Sequence, residues 1–406
     1  MAYTETTTVG YGQRLTNSLK GIVFGFLLLI AGTVLLCWNE GRAVKTGAAI
    51  KNACKQTVEV ADLSTINHEL DGKMICASGF ATTNDSIVDQ FFGLGAVAIR
   101  IERSVEYYQC VEHSQSKTED KVGGKQETTT TYTYSNEWVS SPVTSEFADP
   151  NHKNNNFVVL NVNDDNVQAE TVTVGAYLLP KDWIGSISSR ENLPVALSAD
   201  KITELNKSVA KTLNLSDSLQ FVTITNNQIY LGQNPNSPSI GDVRVTFTKV
   251  VPATVTIWAK VDNGKTFKRF VYKNGYGVAP LRMGSKTMEE CKEDAESSNA
   301  TLTWLLRLVG FLLVYFGLKG IFGLVIALLK VLPFLANIAN VGISIVCGVV
   351  GFAWSLVFIA ISWLLYRPIL AGILIAVVVG LFIFLSKRSK EAPVPAEQPA
   401  ETPAQA

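Results

Sequence analysis

Long apolar runs bracket a single long polar stretch in this chain, and the periodicity differs between the two. Residues 21–38 (GIVFGFLLLIAGTVLLCW) are apolar throughout, and so, apart from Arg307 and Lys319, are residues 302–323, 341–365 and 369–385. About 20 apolar residues in a helix cross roughly 30 Å of hydrocarbon, so four transmembrane helices are expected. The first run is longer than the about 7–15 apolar residues of a signal peptide. It exits through WNEGRAVKTG with no small-x-small cleavage pattern, so it reads as a retained anchor. Only Tyr366-Arg367-Pro368 separates the last two runs, which predicts a tight helical hairpin with Pro368 opening the final helix. The stretch 324–340 carries Lys330, Pro333 and Asn337 and is expected to be interfacial or re-entrant.

Between the first two runs the pattern changes to short alternations. Segments such as VAIRIERSVEYYQCVE, TTTTYTYSNEWVSS, DVRVTFTKV and ATVTIWAKVD are dense in Val, Ile, Thr, Tyr and Phe. Several alternate apolar with polar positions, as half-buried strands do. Asp262-Asn263-Gly264-Lys265 marks a tight hairpin turn. The charged run 114–126 (SQSKTEDKVGGKQ) is expected to be an exposed hairpin tip. Helices are expected over 200–212 and 288–298, the latter leading into the second span. The predicted fold class is membrane α-helical with four spans, plus a large β-rich α+β domain over residues 39–301.

Charge sets the orientation and removes several function classes. Charged residues are 17% of the 406, against roughly 25% in soluble domains. From Thr303 to Lys390 there are seven basic residues and no acidic one. That argues against a soluble cytoplasmic enzyme, a DNA-binding protein and a disordered chain. Residues 43–300 carry 25 basic and 30 acidic side chains, so no nucleic-acid partner is expected. Lys387, Arg388 and Lys390 place the C-terminal flank in the cytoplasm. Four spans then return residues 1–20 to the same side and leave the large domain lumenal or periplasmic. The tail 386–406 is rich in Pro, Ala and Glu without an aromatic and is expected to be disordered.

Little catalytic chemistry is visible. His68, His113 and His152 have no ligand spacing, and GxSxG, GxxxxGK[ST], HExxH and CxxC are absent. No enzyme activity, cofactor or metal site is expected. Cys54, Cys76, Cys110 and Cys291 in the large domain permit two disulfides in any of three pairings, or four buried thiols. Gly348 and Gly351, beside Ala353, suit close helix approach. Glu40, Arg307 and Arg367 fall at the same membrane face by this topology. Either Arg307 snorkels to headgroups, or Glu40 pairs with Arg307 or Arg367 and locks the bundle beneath the domain.

Several stretches, taken in order, carry a family resemblance. They are WNEGRAVKT after the first span, Asp71-Gly72-Lys73-Met74-Ile75, Arg103-Ser104-Val105-Glu106-Tyr107-Tyr108-Gln109, Tyr132-Thr133-Tyr134, Gly241-Asp242-Val243-Arg244 and Trp363-Leu364-Leu365-Tyr366-Arg367-Pro368. On this topology the chain resembles the LUMA (transmembrane protein 43) family of four-pass envelope membrane proteins. The ectodomain cysteines and the long polar hairpin depart from the vertebrate pattern. The resemblance implies a multi-pass scaffold in the lipid bilayer that forms a homo-oligomer and organises other membrane proteins. It implies the endoplasmic reticulum and inner nuclear membrane in a nucleated cell, and the cytoplasmic membrane in a bacterium. A channel or transport component is the alternative, and an extracytoplasmic enzyme a second one.

Overall fold

The structure, a computed structural model, describes residues 2–216, 219–331 and 333–367, without the side chains at positions 333 and 335. Its longest elements are the helices α1 (Tyr11–Gln56), α2 (Met288–Leu329) and α3 (Pro333–Tyr366). Each is long and apolar enough to cross a membrane. The fourth expected span, 369–385, and the tail, 386–406, lie outside the described residues. At about 1.5 Å per residue α1 is roughly 69 Å long and α2 roughly 63 Å, about twice the hydrocarbon thickness. Both run on as unbroken helix from the apolar segments into the large domain. Thr287 and Glu290 cap α2 reciprocally: the Glu290 carboxylate accepts from the Thr287 amide at 2.7 Å, and the Thr287 hydroxyl accepts from the Glu290 amide at 3.3 Å.

The segment 324–340, expected to be interfacial or re-entrant, has no separate helix of its own. It is shared between the end of α2 at Leu329 and the start of α3 at Pro333, with the turn at Lys330 and Val331. A proline in the first position of a helix lacks an N–H that would have no partner there. Pro333 therefore starts a helix, and Asn337 sits inside it.

Glycines let α1 and α2 pack backbone to backbone in antiparallel order. A Cβ on Gly25 would lie 2.6 Å from the Gly317 carbonyl oxygen, and one on Gly32 would lie 2.9 Å from that of Gly310. Each helix thus presents two glycines seven residues apart to the other, which brings the axes close. Among the described residues, a Cβ at Gly348 meets open space, and one at Gly351 meets only ordinary contacts near 3.6 Å from α2 side chains and backbone.

The large domain contains two large sheets around one core and a two-stranded hairpin of Ser86–Asp89 and Leu94–Val97. The labelled strands are β1 (Tyr3–Val9), β2 (Met74–Thr82), β3 (Arg100–Asp120), β4 (Gln126–Val139), β5 (Val243–Val250) and β6 (Ala253–Asp262). One sheet runs β1, β4, β3, β5, then Gln228–Leu231 and Val222–Thr225. The other runs from β6 through Thr266–Lys268, Tyr177–Leu178 and Thr173–Val174 to β2, which pairs back onto β6 and closes the sheet on itself. Asn263 and Gly264, both at positive φ, turn β6 into Thr266–Lys268, where the sequence marks a hairpin. Ile101, Val105, Val245 and Phe247 of the first sheet and Ile75, Val255 and Ile257 of the second belong to one buried cluster. A smaller cluster joins Ile50 and Ala53 of α1, Cys291 of α2, Met74, Cys76 and Trp258. This second cluster fixes the helices to the domain.

The polar hairpin departs from expectation in one respect. β3 and β4 pair from Tyr107–Val139 out to Asp120–Gln126, and β1 adds to β4 from Tyr3–Tyr132 to Val9–Gln126. The result is a three-stranded ribbon that includes the N-terminal residues. Its turn, 121–125, is fastened to the far ends of the helices rather than projecting free. The Thr-rich stretch 3–9 has no apolar alternation, so nothing in its own pattern announces a strand.

Candidate functional site

Two polar clusters fasten the helices, one at each end of the bundle. The first is built where α1 leaves its apolar segment. Glu40 is 1% exposed. Its carboxylate accepts from Arg307 Nε at 2.7 Å and Arg307 Nη2 at 2.9 Å, a bidentate pair between α1 and α2. It also accepts from Trp363 Nε1 of α3 at 2.7 Å. One carboxylate therefore ties three helices. The Arg307 guanidinium lies 4.7 Å from the Trp304 ring centre. Arg367 is not part of this pair: it lies over Trp363, 5.1 Å from that ring.

The neighbouring residues of α1 complete the cluster. Asn39 and Arg42 are buried. Arg42 Nη2 donates to Thr303 Oγ1 at 2.7 Å and Arg42 Nη1 to Asn299 Oδ1 at 3.0 Å. Asn39 Nδ2 donates to the Thr303 carbonyl at 2.9 Å, and Asn299 Nδ2 to the Ala43 carbonyl at 3.0 Å. A Cβ on Gly41 would lie 2.6 Å from the Tyr366 ring, so glycine there makes room for that ring. The sequence reading picked out Glu40 and Arg307 but missed Asn39, Gly41, Arg42, Asn299, Thr303, Trp363 and Tyr366 as partners. The helical spacing of Asn39 with Arg42, and of Asn299 with Thr303, is the signal that was available. The stretches WNEGR and WLLYRP, more than 300 residues apart, meet here.

The second cluster lies at the opposite end. Arg14, 6% exposed, bonds Asp120 of β3 at 2.6 Å and donates to the Gly124 carbonyl at 2.9 Å. Lys330, in the α2–α3 turn, approaches Asp120 at 3.4 Å. The Gly123 amide donates to the Val331 carbonyl at 3.2 Å. Gly124 sits at φ +82°, and a Cβ there would lie 2.4 Å from the Tyr11 ring, so glycine is needed twice over. The ribbon tip is held by α1 on one side and by the turn between α2 and α3 on the other.

All four domain cysteines are free thiols. Cys76 and Cys291 share the smaller buried cluster, and Cys54 packs against it. Burial raises the Cys54 and Cys110 thiols above their ordinary value. Cys110 Sγ lies 3.7 Å from His152 Nε2, and that imidazole stacks on Tyr134 at 4.0 Å. His113 lies 2.7 Å from Glu137 on the exposed ribbon. Among the described residues, no group of three or more His, Cys, Asp or Glu is placed to hold a metal.

The family model for Transmembrane protein 43 matches residues 107–368. The chain is 26% identical to the mouse Transmembrane protein 43 over 376 residues, covering 90% of this chain and 89% of the relative. It is 25% identical to the human protein over 373 residues, covering 89% and 88%. It is 22% identical to the Drosophila melanogaster homologue over 371 residues, covering 90% and 94%. No solved structure matches.

Proposed function

The chain belongs to the Transmembrane protein 43 family, and from that premise we propose that it is a membrane scaffold. It self-associates and gathers other membrane proteins through its helices, while the β-rich domain presents a binding surface outside the cytoplasm. The observation that carries this reading is the Glu40 cluster. A buried carboxylate bonded to two other helices fixes one arrangement of the bundle, and α1 and α2 continue from it into the domain without a break. Any partner that seats on the lipid-facing side of the bundle therefore meets a surface held in register with the domain. That surface is broadly apolar, with Phe24, Ile30, Trp304, Ile345 and Phe352 exposed. The reading assigns no reaction to the chain. It places the protein in the endoplasmic reticulum and inner nuclear membrane of a nucleated cell, or in the cytoplasmic membrane of a bacterium.

Cross-linking of the full chain in native membranes, read by mass spectrometry, tests this. Cross-links between copies and to a reproducible set of membrane proteins are expected. A chain that yields only intramolecular cross-links at native abundance would sink the reading.

A further inference from the structure

The ribbon of β1, β4 and β3 poses a physical problem that the helices define. Its tip is bonded to Arg14 and Lys330, at the ends of the helices away from the domain. Its base is held in the domain, where the Glu112 carboxylate accepts from the Ala148 amide at 2.7 Å. From Glu112 to Asp120 the strand covers about 27 Å at roughly 3.4 Å per residue, close to the about 30 Å of hydrocarbon that the helices cross. The ribbon therefore traverses the same depth as the apolar segments beside it.

Apart from Val9 and the stacked pair Tyr3 and Tyr132, the ribbon strands toward the tip carry hydroxyls and charges. On one face Thr129 stands between Thr6 and Lys117, and on the other Thr130 stands between Glu5 and Ser116. Cross-strand hydroxyl pairs continue the pattern, Ser116 with Thr130 at 2.9 Å and Thr118 with Thr128 at 3.1 Å. Both faces are polar, and residues 113–119 are exposed. Among the described residues, neither the outer edge of β1 nor that of β3 beyond Glu112 pairs with another strand. Open strand edges do not occur against hydrocarbon, because their N–H and C=O groups would have no partners. Among the described residues, the apolar helices pack on one another and leave the ribbon's length uncovered.

We propose that the ribbon runs through the bilayer in a water-filled space, and that a second copy of this chain closes the side that one copy leaves open. A second copy is the fitting occupant because it brings both things that are missing. Its helices supply an apolar wall toward lipid, and its own ribbon supplies polar strands for the open edges. The inference rests on the self-association in the reading above and gives it a location and a consequence: a polar path across the membrane.

The test uses the full chain in sealed phosphatidylcholine vesicles and a membrane-impermeant, charged thiol reagent, with adducts read site by site. Val122→Cys at the tip and Lys153→Cys in the domain are expected to react from opposite faces. Ser116→Cys, midway along the ribbon, is expected to react at least tenfold faster than Leu27→Cys on the lipid-facing side of α1. A bis-maleimide is expected to join two copies through Ser116→Cys, above the wild-type background, and not through Lys207→Cys on the domain. Reaction of Val122→Cys and Lys153→Cys from the same face overturns the ribbon's path, and leaves self-association standing if copies still cross-link elsewhere. Ser116→Cys as inert as Leu27→Cys overturns the water-filled space. A reactive Ser116→Cys that never bridges copies overturns the second-copy wall.

Discussion

At the scale of single residues, Glu40 and Arg307 show how far charge alone can be read. An arginine inside an apolar run with no acid in any span demands a partner or a route to headgroups. The sequence offers Glu40 at a matching depth, and the structure puts the two in a bidentate pair. It could not offer Trp363, because an indole donor in an apolar run looks like any other membrane aromatic. Breaking a buried pair by removing one partner typically costs about 3–5 kcal/mol, whereas replacing both is often nearly neutral. Glu40→Gln should therefore lower the detergent-unfolding midpoint of the full chain sharply. Adding Arg307→Met should recover much of the loss, and a double variant no better than Glu40→Gln would show that the two residues are not coupled. A second residue-level effect concerns pH. Hydrogen bonds from Arg190 and Arg100 hold the Glu102 carboxyl at about 2, below its ordinary 4.5. An acid with a depressed pKa stabilises the fold above its ordinary value, and that contribution is lost as pH falls from about 4.5 through about 2. Because Arg190 is exposed, screening limits the effect to about 1 kcal/mol. The fall in urea midpoint between pH 6 and pH 3 should be smaller in Glu102→Gln than in the parent, and an equal fall would exclude the pair as a source of acid sensitivity.

At the scale of elements, periodicity carries the strands well and the helix ends poorly. β5 alternates apolar and polar residues and appears where the alternation lies, because one face meets the common core, whereas β6 is buried on both faces, with Trp258 in the second cluster. α1 overruns its apolar segment, since the residues that extend it to Gln56 are packed by the domain, whereas α2 starts at Met288, where the sequence leads to a helix. Glycine is the instructive failure. A glycine in a membrane helix signals close packing only when another helix faces it, and the sequence cannot say which do. Gly25, Gly32, Gly310 and Gly317 face each other, while Gly348 faces nothing among the described residues. The side chain tolerated at Gly317 is thus set by the backbone of α1, with Leu29 N 2.7 Å from the added Cβ. Overpacking of this kind costs about 1–3 kcal/mol. Gly317→Ile should separate α1 from α2 and lower the unfolding midpoint, whereas Gly348→Ile should change it little. Measuring both in one detergent decides the matter, and equal effects would mean that the α1–α2 seam is not held by close backbone contact.

At the scale of the whole molecule, the least legible feature is the return of the ribbon to the start of α1. Strand pairing between residues 3–9 and 126–132 is long-range, and the strands involved are rich in Thr rather than patterned for a core. Besides the pairing with β1, a small number of charges fastens the ribbon's tip to the helices, so the contribution of each can be separated. Asp120 is 17% exposed on its side chain and faces two cations, Arg14 and Lys330, that come from different helices. Removing its charge leaves those cations facing each other without a counter-ion, and the tip keeps the two backbone-directed contacts at Gly123 and Gly124 and the pairing of β1 with β4. A hydrogen bond to a charged group is worth about 1.5–3 kcal/mol. At about 1.4 kcal/mol per tenfold, Asp120→Asn should raise the population of released tips by roughly ten- to a hundredfold. Lys121 and Lys125 flank the turn, so trypsin reads that population directly, and detergent-solubilised full chain makes both ends of the bundle accessible. Glu119 supplies the control, because its pairs with Lys117 and Lys121 are exposed on the ribbon and do not reach the helices. Cleavage in the tip should rise at least tenfold in Asp120→Asn and less than twofold in Glu119→Gln. Equal rates in the two variants would mean that the tip is not held by the cluster around Arg14. The tip would then be tied to the helices only by β1, whose Val9 pairs with Gln126 and leads through Gly10 into α1.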